Sequence, residues 1–223
     1  RPWIGRCLPS PEGVPEVVQR ASETMRVTCI ALLKYNGEES DPYILGIFSD
    51  VSNFGYFQRT TVREMLSFVS RTIVRRTAPG QRQSVQHEEY YCHASNKSGV
   101  AAIAFVDGEY PARSAFYVLN KVVEDFEKLS KDSWKTANAD EETGNDLCEA
   151  AVKEYQDPAN ADKLLKVQRE LDETKVVLHK TIDSLLARGE KLDSLVEKST
   201  DLSMASQVFY KQARRQNQCC IIV

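Results

Sequence analysis

A repeating apolar pattern in the last quarter of the chain most constrains its fold. From Leu164 to Gln216, sixteen positions at alternating steps of three and four residues carry ten apolar, five uncharged polar and one charged residue. This alternation is the seam of a left-handed coiled coil, which must be buried against other helices. We therefore predict a long helix at residues 161–218. Its large apolar seam residues are Leu164, Val167, Leu171, Leu178, Leu185, Leu192, Leu195, Leu202 and Phe209.

Arg188 is the charged residue at the centre of this seam. Buried alone, its guanidinium would cost several kcal/mol, so its donors need acceptors at the same level on partner helices. Neutral amide oxygens would satisfy them, and a single such layer would fix the register of the helices. Gly189 costs about 1 kcal/mol relative to alanine in a helix, which fits a segment that folds on binding. The alternative is a homodimeric coiled coil in which Arg188 extends into solvent.

The chain before the seam predicts a separate folded domain at residues 25–135. Thr61 and Glu64 form a capping-box pattern at the start of one helix, and Pro111 begins a second. The predicted order is ββαβββα, an α+β fold with helices packed on a mixed sheet. The predicted strands lie near residues 26–34, 43–48, 83–86, 90–95 and 100–106.

The segments around these two units lack a clear period. Residues 1–24 are rich in proline and glycine, and we expect a disordered or non-native leader with Met25 as the natural start. Residues 136–160 are polar and acidic and predict a linker with room for one helical turn. The net charge of −3 gives no reason to expect nucleic-acid binding.

The last five residues, 219–223, predict a lipid anchor. Cys220-Ile221-Ile222-Val223 fits the C-a-a-X pattern for prenylation, although Val223 leaves the choice of isoprenoid open. One lipid chain gives only marginal membrane binding, so a second signal is needed. Cys219 could carry a second lipid, and the basic residues Lys211, Arg214 and Arg215 would be drawn to an anionic membrane surface.

Several stretches resemble one family. Thr181–Ser199 resembles the central stretch of an R-SNARE motif, and residues 168–175 fit the same motif. Residues 50–59 and 109–116 resemble a longin domain, a profilin-like fold with which the order ββαβββα agrees. Together with the Cys-Cys tail, the chain from Met25 resembles the Ykt-type lipid-anchored longin R-SNAREs, which are synaptobrevin-like.

The resemblance implies a role in membrane fusion. The seam would zip with three Q-SNARE helices into a parallel four-helix bundle, with Arg188 in its central layer. It implies a prenyl group on Cys220 and a palmitoyl or second prenyl group on Cys219. The chain would then divide between the cytosol and the cytoplasmic face of endomembranes (Golgi, endoplasmic reticulum, vesicles and vacuole). A prenylated coiled-coil adaptor or tether without fusion activity is the alternative, and the behaviour of Arg188 separates the two.

An aromatic loop suggests how such a chain could be regulated. Phe54, Tyr56 and Phe57 lie together before the first helix, either as ordinary core aromatics or as the edge of an exposed groove. The resemblance implies that the longin domain folds back on the SNARE segment as an autoinhibitory lid, with Phe57 and Phe54 among its contacts.

Catalytic patterns are weak. The three histidines are His87, His93 and His179, and no CxxC, HExxH or P-loop pattern accompanies them. Cys92 beside His93 fits either a thiol nucleophile or, with more weight, a buried structural cysteine. We therefore expect no enzyme activity, no metal site and no cofactor.

Overall fold

A computed structural model describes residues 26–87, 90–160, 163 and 175–219. Leu164, Val167 and Leu171 of the predicted seam lie outside the described residues. The leader with Met25 and the tail residues 220–223 also lie outside them.

A six-stranded sheet forms the centre of the described structure, in the order β2-β1-β5-β4-β3-β6. Neighbouring strands are antiparallel except for β3 and β6, which run parallel. The strands are β1 (Val27–Lys34), β2 (Tyr43–Ser49), β3 (Arg82–His87), β4 (Tyr90–Lys97), β5 (Val100–Asp107) and β6 (Val176–His179). The helices are α1 (Arg59–Arg75), α2 (Ala112–Ser130), α3 (Asn145–Glu154), α4 (Leu192–Lys198) and α5 (Met204–Cys219).

The two central strands are apolar on both faces because helices cover both faces. β1 and β5 are almost entirely buried. On one face they pack against α2 and α3 around Phe126 and Leu119. On the other they pack against α1 and the C-terminal part of the chain, around Ile73 and Ile103. The predicted α+β class and the order ββαβββα are confirmed.

The predicted linker is wrong in part, because residues 136–160 contain α3 and are packed into the domain. Asp140 Oδ1 accepts a hydrogen bond from Ile44 N at 2.9 Å, and Gly144 N donates to Leu45 O at 2.8 Å. A Cβ on Gly46 would lie 2.4 Å from the Gly144 carbonyl carbon, so the two backbones touch. This segment covers the outer edge of β2, which would otherwise expose unpaired backbone groups.

The prediction of one continuous helix over residues 161–218 is also wrong for the described part of that range. Residues 175–219 form β6, a short 3₁₀ turn at Ile182–Ser184, α4 and α5 instead. Without partner helices, the apolar side chains of a seam remain exposed unless the chain buries them elsewhere. Here the segment bends so that its apolar residues reach its own domain. Among the described residues, no helix combines the length and apolar character needed to cross a membrane.

Candidate functional site

The candidate site is the contact between α1, the β3 edge and the folded-back segment, our name for residues 175–219. Its first part is a backbone pairing in which β6 extends the sheet. Arg82 pairs with Val176 and Val85 with His179 in parallel register. The side chain of Leu178 is 77% exposed and that of Val177 is 41% exposed, so the main chain supplies most of this contact.

The second part is apolar packing under α1. Ile182 is 2% exposed and Val196 is 0% exposed, and both belong to the same buried cluster as Ile73 and Val85. Full burial of one such side chain contributes roughly 1.5–3 kcal/mol. The other apolar residues that the folded-back segment adds to this cluster are Leu185, Leu186, Leu192, Leu195, Leu202 and Tyr210.

The folded-back segment uses a different set of residues from the predicted seam. Ile182, Leu186 and Val196 each lie one position after a seam residue, yet all three are buried. Leu178 is a seam residue, yet it is 77% exposed. Leu192 and Leu202 are buried, and Leu185, Leu195 and Phe209 are partly buried, so these serve the seam and the fold-back together. These apolar residues off the seam are present in the sequence, but the coiled-coil pattern does not include them and so predicts no burial for them.

Glu64 joins α1 to the start of α5. Its Oε2 accepts hydrogen bonds from Ser206 Oγ at 2.7 Å and from Ser203 N at 3.0 Å. The predicted capping box with Thr61 is therefore wrong. α1 already begins at Arg59, its N-terminal cap has no side-chain hydrogen bond, and the Glu64 carboxylate turns towards α5. The hydrogen bonds from Ser206 and Ser203 hold the pKa of Glu64 below its ordinary value of 4.5.

We expect Glu64→Gln to loosen α5 from α1, because an amide accepts these hydrogen bonds less strongly than a carboxylate. The pKa of Glu64 is lowered in the folded-back state. The stability that its carboxylate gives to this state is therefore complete above pH 4.5 and is lost as the pH falls through the lowered pKa. Amide hydrogen exchange at neutral pH should therefore quicken in α5 but not in β1. In small-angle scattering, we expect the wild type to expand on acidification and the variant to lose part of that expansion.

Glu124→Gln on α2 is the matched control, because Glu124 forms only an exposed ion pair with Lys97, at 3.8 Å, among the described residues. Equal exchange rates in α5 for the wild type and Glu64→Gln would remove Glu64 from the attachment.

A tight turn interrupts the seam at its charged residue. Arg188 is exposed, and Gly189 has a φ of +91°, which side-chain-bearing residues rarely adopt. Glu190 Oε2 holds the turn by accepting from Ala187 N at 3.2 Å and from Arg76 Nη2 at 2.8 Å. A turn of this conformation is incompatible with a continuous helix through residues 188–189.

Phe57 and Phe54, the two aromatic residues predicted as contacts, do not pack against the described part of the folded-back segment. Phe57 is 93% exposed and packs edge-on against Tyr56, and Phe54 belongs to neither buried cluster. Neither residue therefore packs into the contact between the described parts of the fold-back. On α1 that role falls to Met65, Leu66 and Phe68, which lie on the buried cluster.

The basic residues near the tail form ion pairs with α4. Lys211 Nζ lies 2.9 Å from Glu197 Oε1, and Arg214 pairs with Asp193, which also accepts a hydrogen bond from Tyr210 OH at 2.8 Å. Arg215 is exposed. α5 ends at Cys219, and Cys220 lies beyond the described residues.

The Cys92–His93 pair is structural. Cys92 is buried, and burial raises the pKa of its thiol to about 12, so no reactive thiolate forms at neutral pH. His93 is also buried, its Nδ1 lies 2.6 Å from Ser84 Oγ, and burial lowers its pKa to about 4. The described residues contain no group of three or more histidine, cysteine or acidic side chains placed to hold a metal ion.

Two family models match the two parts of the chain. A longin model, described as a regulated-SNARE-like domain, matches residues 51–145, and a synaptobrevin model matches residues 163–221. The second match includes the whole folded-back segment. A longin fold followed by a synaptobrevin segment defines a longin-domain SNARE.

Curated relatives specify the family. VAMP-like protein YKT61 of Arabidopsis thaliana is 58% identical over 199 residues, which cover 89% of this chain and 100% of that protein. Synaptobrevin homolog YKT6 of Saccharomyces cerevisiae is 41% identical over 206 residues, with the same two shares covered. The chain belongs to the YKT6 family of synaptobrevin homologues. It is an R-SNARE of vesicle trafficking, in a family of non-enzymatic, membrane-associated proteins that interact with other SNAREs.

Proposed function

We propose that this chain supplies the arginine-bearing helix of a four-helix bundle with three Q-SNARE helices and thereby drives vesicle fusion in the endomembrane pathway, between endoplasmic reticulum and Golgi and at the vacuole. The observation that carries the proposal is Arg188, which lies in register between Leu185 and Leu192 at the centre of the seam. Its side chain is exposed in the folded-back form, so this residue is available to partner helices. Burial of the seam on assembly would supply the energy for bringing two membranes together.

The folded-back segment supports an autoinhibitory role for the longin domain. Leu192 and Leu202 are buried against the domain, and the same side chains cannot pack into a bundle at the same time. Gly189 must also leave its turn before the helix can continue. The domain thus competes with the Q-SNARE helices for one segment, and any partner must bind more tightly than the domain does.

Bundle assembly separates this proposal from the adaptor alternative. The full chain should form a detergent-resistant complex with three Q-SNARE helices, and a segment of residues 161–218 should fail to form a stable dimer by itself. Arg188→Leu should shift this balance towards self-association, because a seam without its charged layer no longer specifies one register or set of partners. A stable homodimer of the wild-type segment without bundle formation would favour the adaptor.

We further propose that the chain is held on the cytoplasmic face of endomembranes by a prenyl group on Cys220 and a second lipid on Cys219, and moves to the cytosol when singly lipidated. The C-a-a-X pattern and the family support this assignment. Two lipids are needed because a single chain gives only marginal, reversible binding.

Substitution of the two cysteines should give unequal losses. We expect Cys220→Ser to abolish membrane binding, because it removes the C-a-a-X acceptor of the prenyl group. Cys219→Ser should leave a weakly bound form with one lipid. Membrane fractionation together with mass spectrometry of the C-terminal peptide measures both, and an unchanged membrane fraction in Cys220→Ser would refute the assignment.

A further inference from the structure

The basic patch near the tail is partly neutralised in the folded-back form. Lys211 and Arg214 lie on α5 and pair with Glu197 and Asp193 of α4. All four side chains are 39–56% exposed, so these ion pairs add little to stability. They matter more for the local charge, because each acid neutralises the base with which it pairs.

In a continuous helix these charges would be far apart. Glu197 and Lys211 are fourteen residues apart in sequence, and Asp193 and Arg214 are twenty-one apart. At 1.5 Å per residue the separations become about 21 Å and about 32 Å. Both exceed the Debye length of about 8 Å at physiological salt, so the acids would no longer screen the bases.

We propose that folding back masks a binding surface for anionic lipid and that opening exposes it. The surface consists of Lys211, Arg214 and Arg215, and its ligand is an anionic bilayer surface. Two bases lose their masking acids on opening, and each contributes about 1 kcal/mol near such a surface. Vesicle affinity should therefore rise by about thirty-fold. By reciprocity an anionic membrane stabilises the open form and so prepares the segment for its partners.

This inference rests on the proposed fold-back regulation but concerns membrane charge rather than bundle assembly. It predicts that the covalent lipids and the basic surface act at different steps. The lipids hold the chain near any membrane, whereas the basic surface responds to the composition of the bilayer and to the conformation of residues 188–189.

Vesicle co-sedimentation tests it with the full chain carrying Cys219→Ser and Cys220→Ser, so that no lipid contributes. The probes are phosphatidylcholine vesicles with and without phosphatidylserine. We expect Asp193→Asn with Glu197→Gln to bind the phosphatidylserine vesicles more tightly than the parent chain, and phosphatidylcholine vesicles no differently. The gain should shrink at high salt.

The matched control is Asp132→Asn with Glu149→Gln. These acids form exposed ion pairs with Lys135 and Lys153, so this variant has the same net charge as the α4 variant. An equal gain in both variants would reduce the effect to net charge and overturn the proposal.

Gly189→Ala provides a second route that changes no charge. It should raise phosphatidylserine binding by opening the segment, and Lys211→Gln with Arg214→Gln should abolish that gain. If hydrogen exchange shows Gly189→Ala to be open while vesicle binding is unchanged, the masking is refuted. Bundle assembly with Q-SNARE helices is measured on the same variants. Failure of assembly contradicts the proposed SNARE mechanism, whereas intact assembly without a lipid response contradicts only this inference.

Discussion

Leu186→Ala should open the folded-back segment without weakening the SNARE bundle, and Leu178→Ala should do the reverse. Leu186 is 8% exposed in the fold-back, whereas Leu178 is 77% exposed. Their positions in the seam are opposite, because Leu178 is a seam residue and Leu186 lies on the outward side of the helix, next to Leu185. The same chemical change therefore removes a buried contact from only one of the two states.

The expected effects are large. A buried leucine shortened to alanine costs about 2–5 kcal/mol, which shifts a two-state equilibrium by about thirty-fold or more. Alanine is as good a helix former as leucine, so helix propensity adds little to either effect. Faster hydrogen exchange in β6 and a larger radius in small-angle scattering report opening. Denaturant unfolding of the assembled bundle reports the loss at Leu178.

The two variants serve as controls for each other. If both opened the segment equally, the fold-back would depend on total apolar content and not on the residues off the seam. If neither changed hydrogen exchange in β6, the contacts around Leu186 would not hold the segment at all. Separate responses would show that one segment carries two apolar surfaces, one for its own domain and one for its partners.

The parts of the fold that depend on local periodicity could be predicted from the sequence. The order ββαβββα followed from alternation and helical spacing, and the structure reproduces it. α3 was missed because it has only three buried residues, Cys148, Ala151 and Val152, and these lie among charged residues. Its position depends on the contact of Gly144 with Gly46, about a hundred residues earlier in the chain, which no local pattern encodes.

The candidate site could be predicted only in part, for a similar reason. The seam describes one partner of the segment and carries no information about a second. The contact of Glu64 with Ser203 and Ser206 joins residues far apart in sequence, and local rules assigned Glu64 to a helix cap instead. The family resemblance suggested Phe57 as a contact, but the sequence does not show which way its ring points. Only the structure shows that α1 residues such as Phe68 are less exposed than Phe57.

Gly189→Ala should move the same equilibrium through the backbone alone. At a φ of +91° alanine is disfavoured by roughly 1–2 kcal/mol, whereas in a helix it is favoured over glycine by about 1 kcal/mol. The two terms add, because one destabilises the turn and the other stabilises the continuous helix. The sum of about 2–3 kcal/mol predicts a shift towards the open form of about 30- to 160-fold.

The alanine side chain would cause no steric clash, since a Cβ at Gly189 would have no neighbour within 4 Å. Gly37→Ala is the matched control, because Gly37 has a φ of +95° and equally open surroundings in the β1–β2 loop. Gly37→Ala should lower the stability of the longin domain by roughly 1–2 kcal/mol, the backbone term alone, while β6 stays protected from hydrogen exchange. Gly189→Ala should leave the domain strands protected, expose β6, and accelerate bundle assembly with Q-SNARE helices. Unchanged assembly alongside exposed β6 would mean that release of the segment does not limit its pairing.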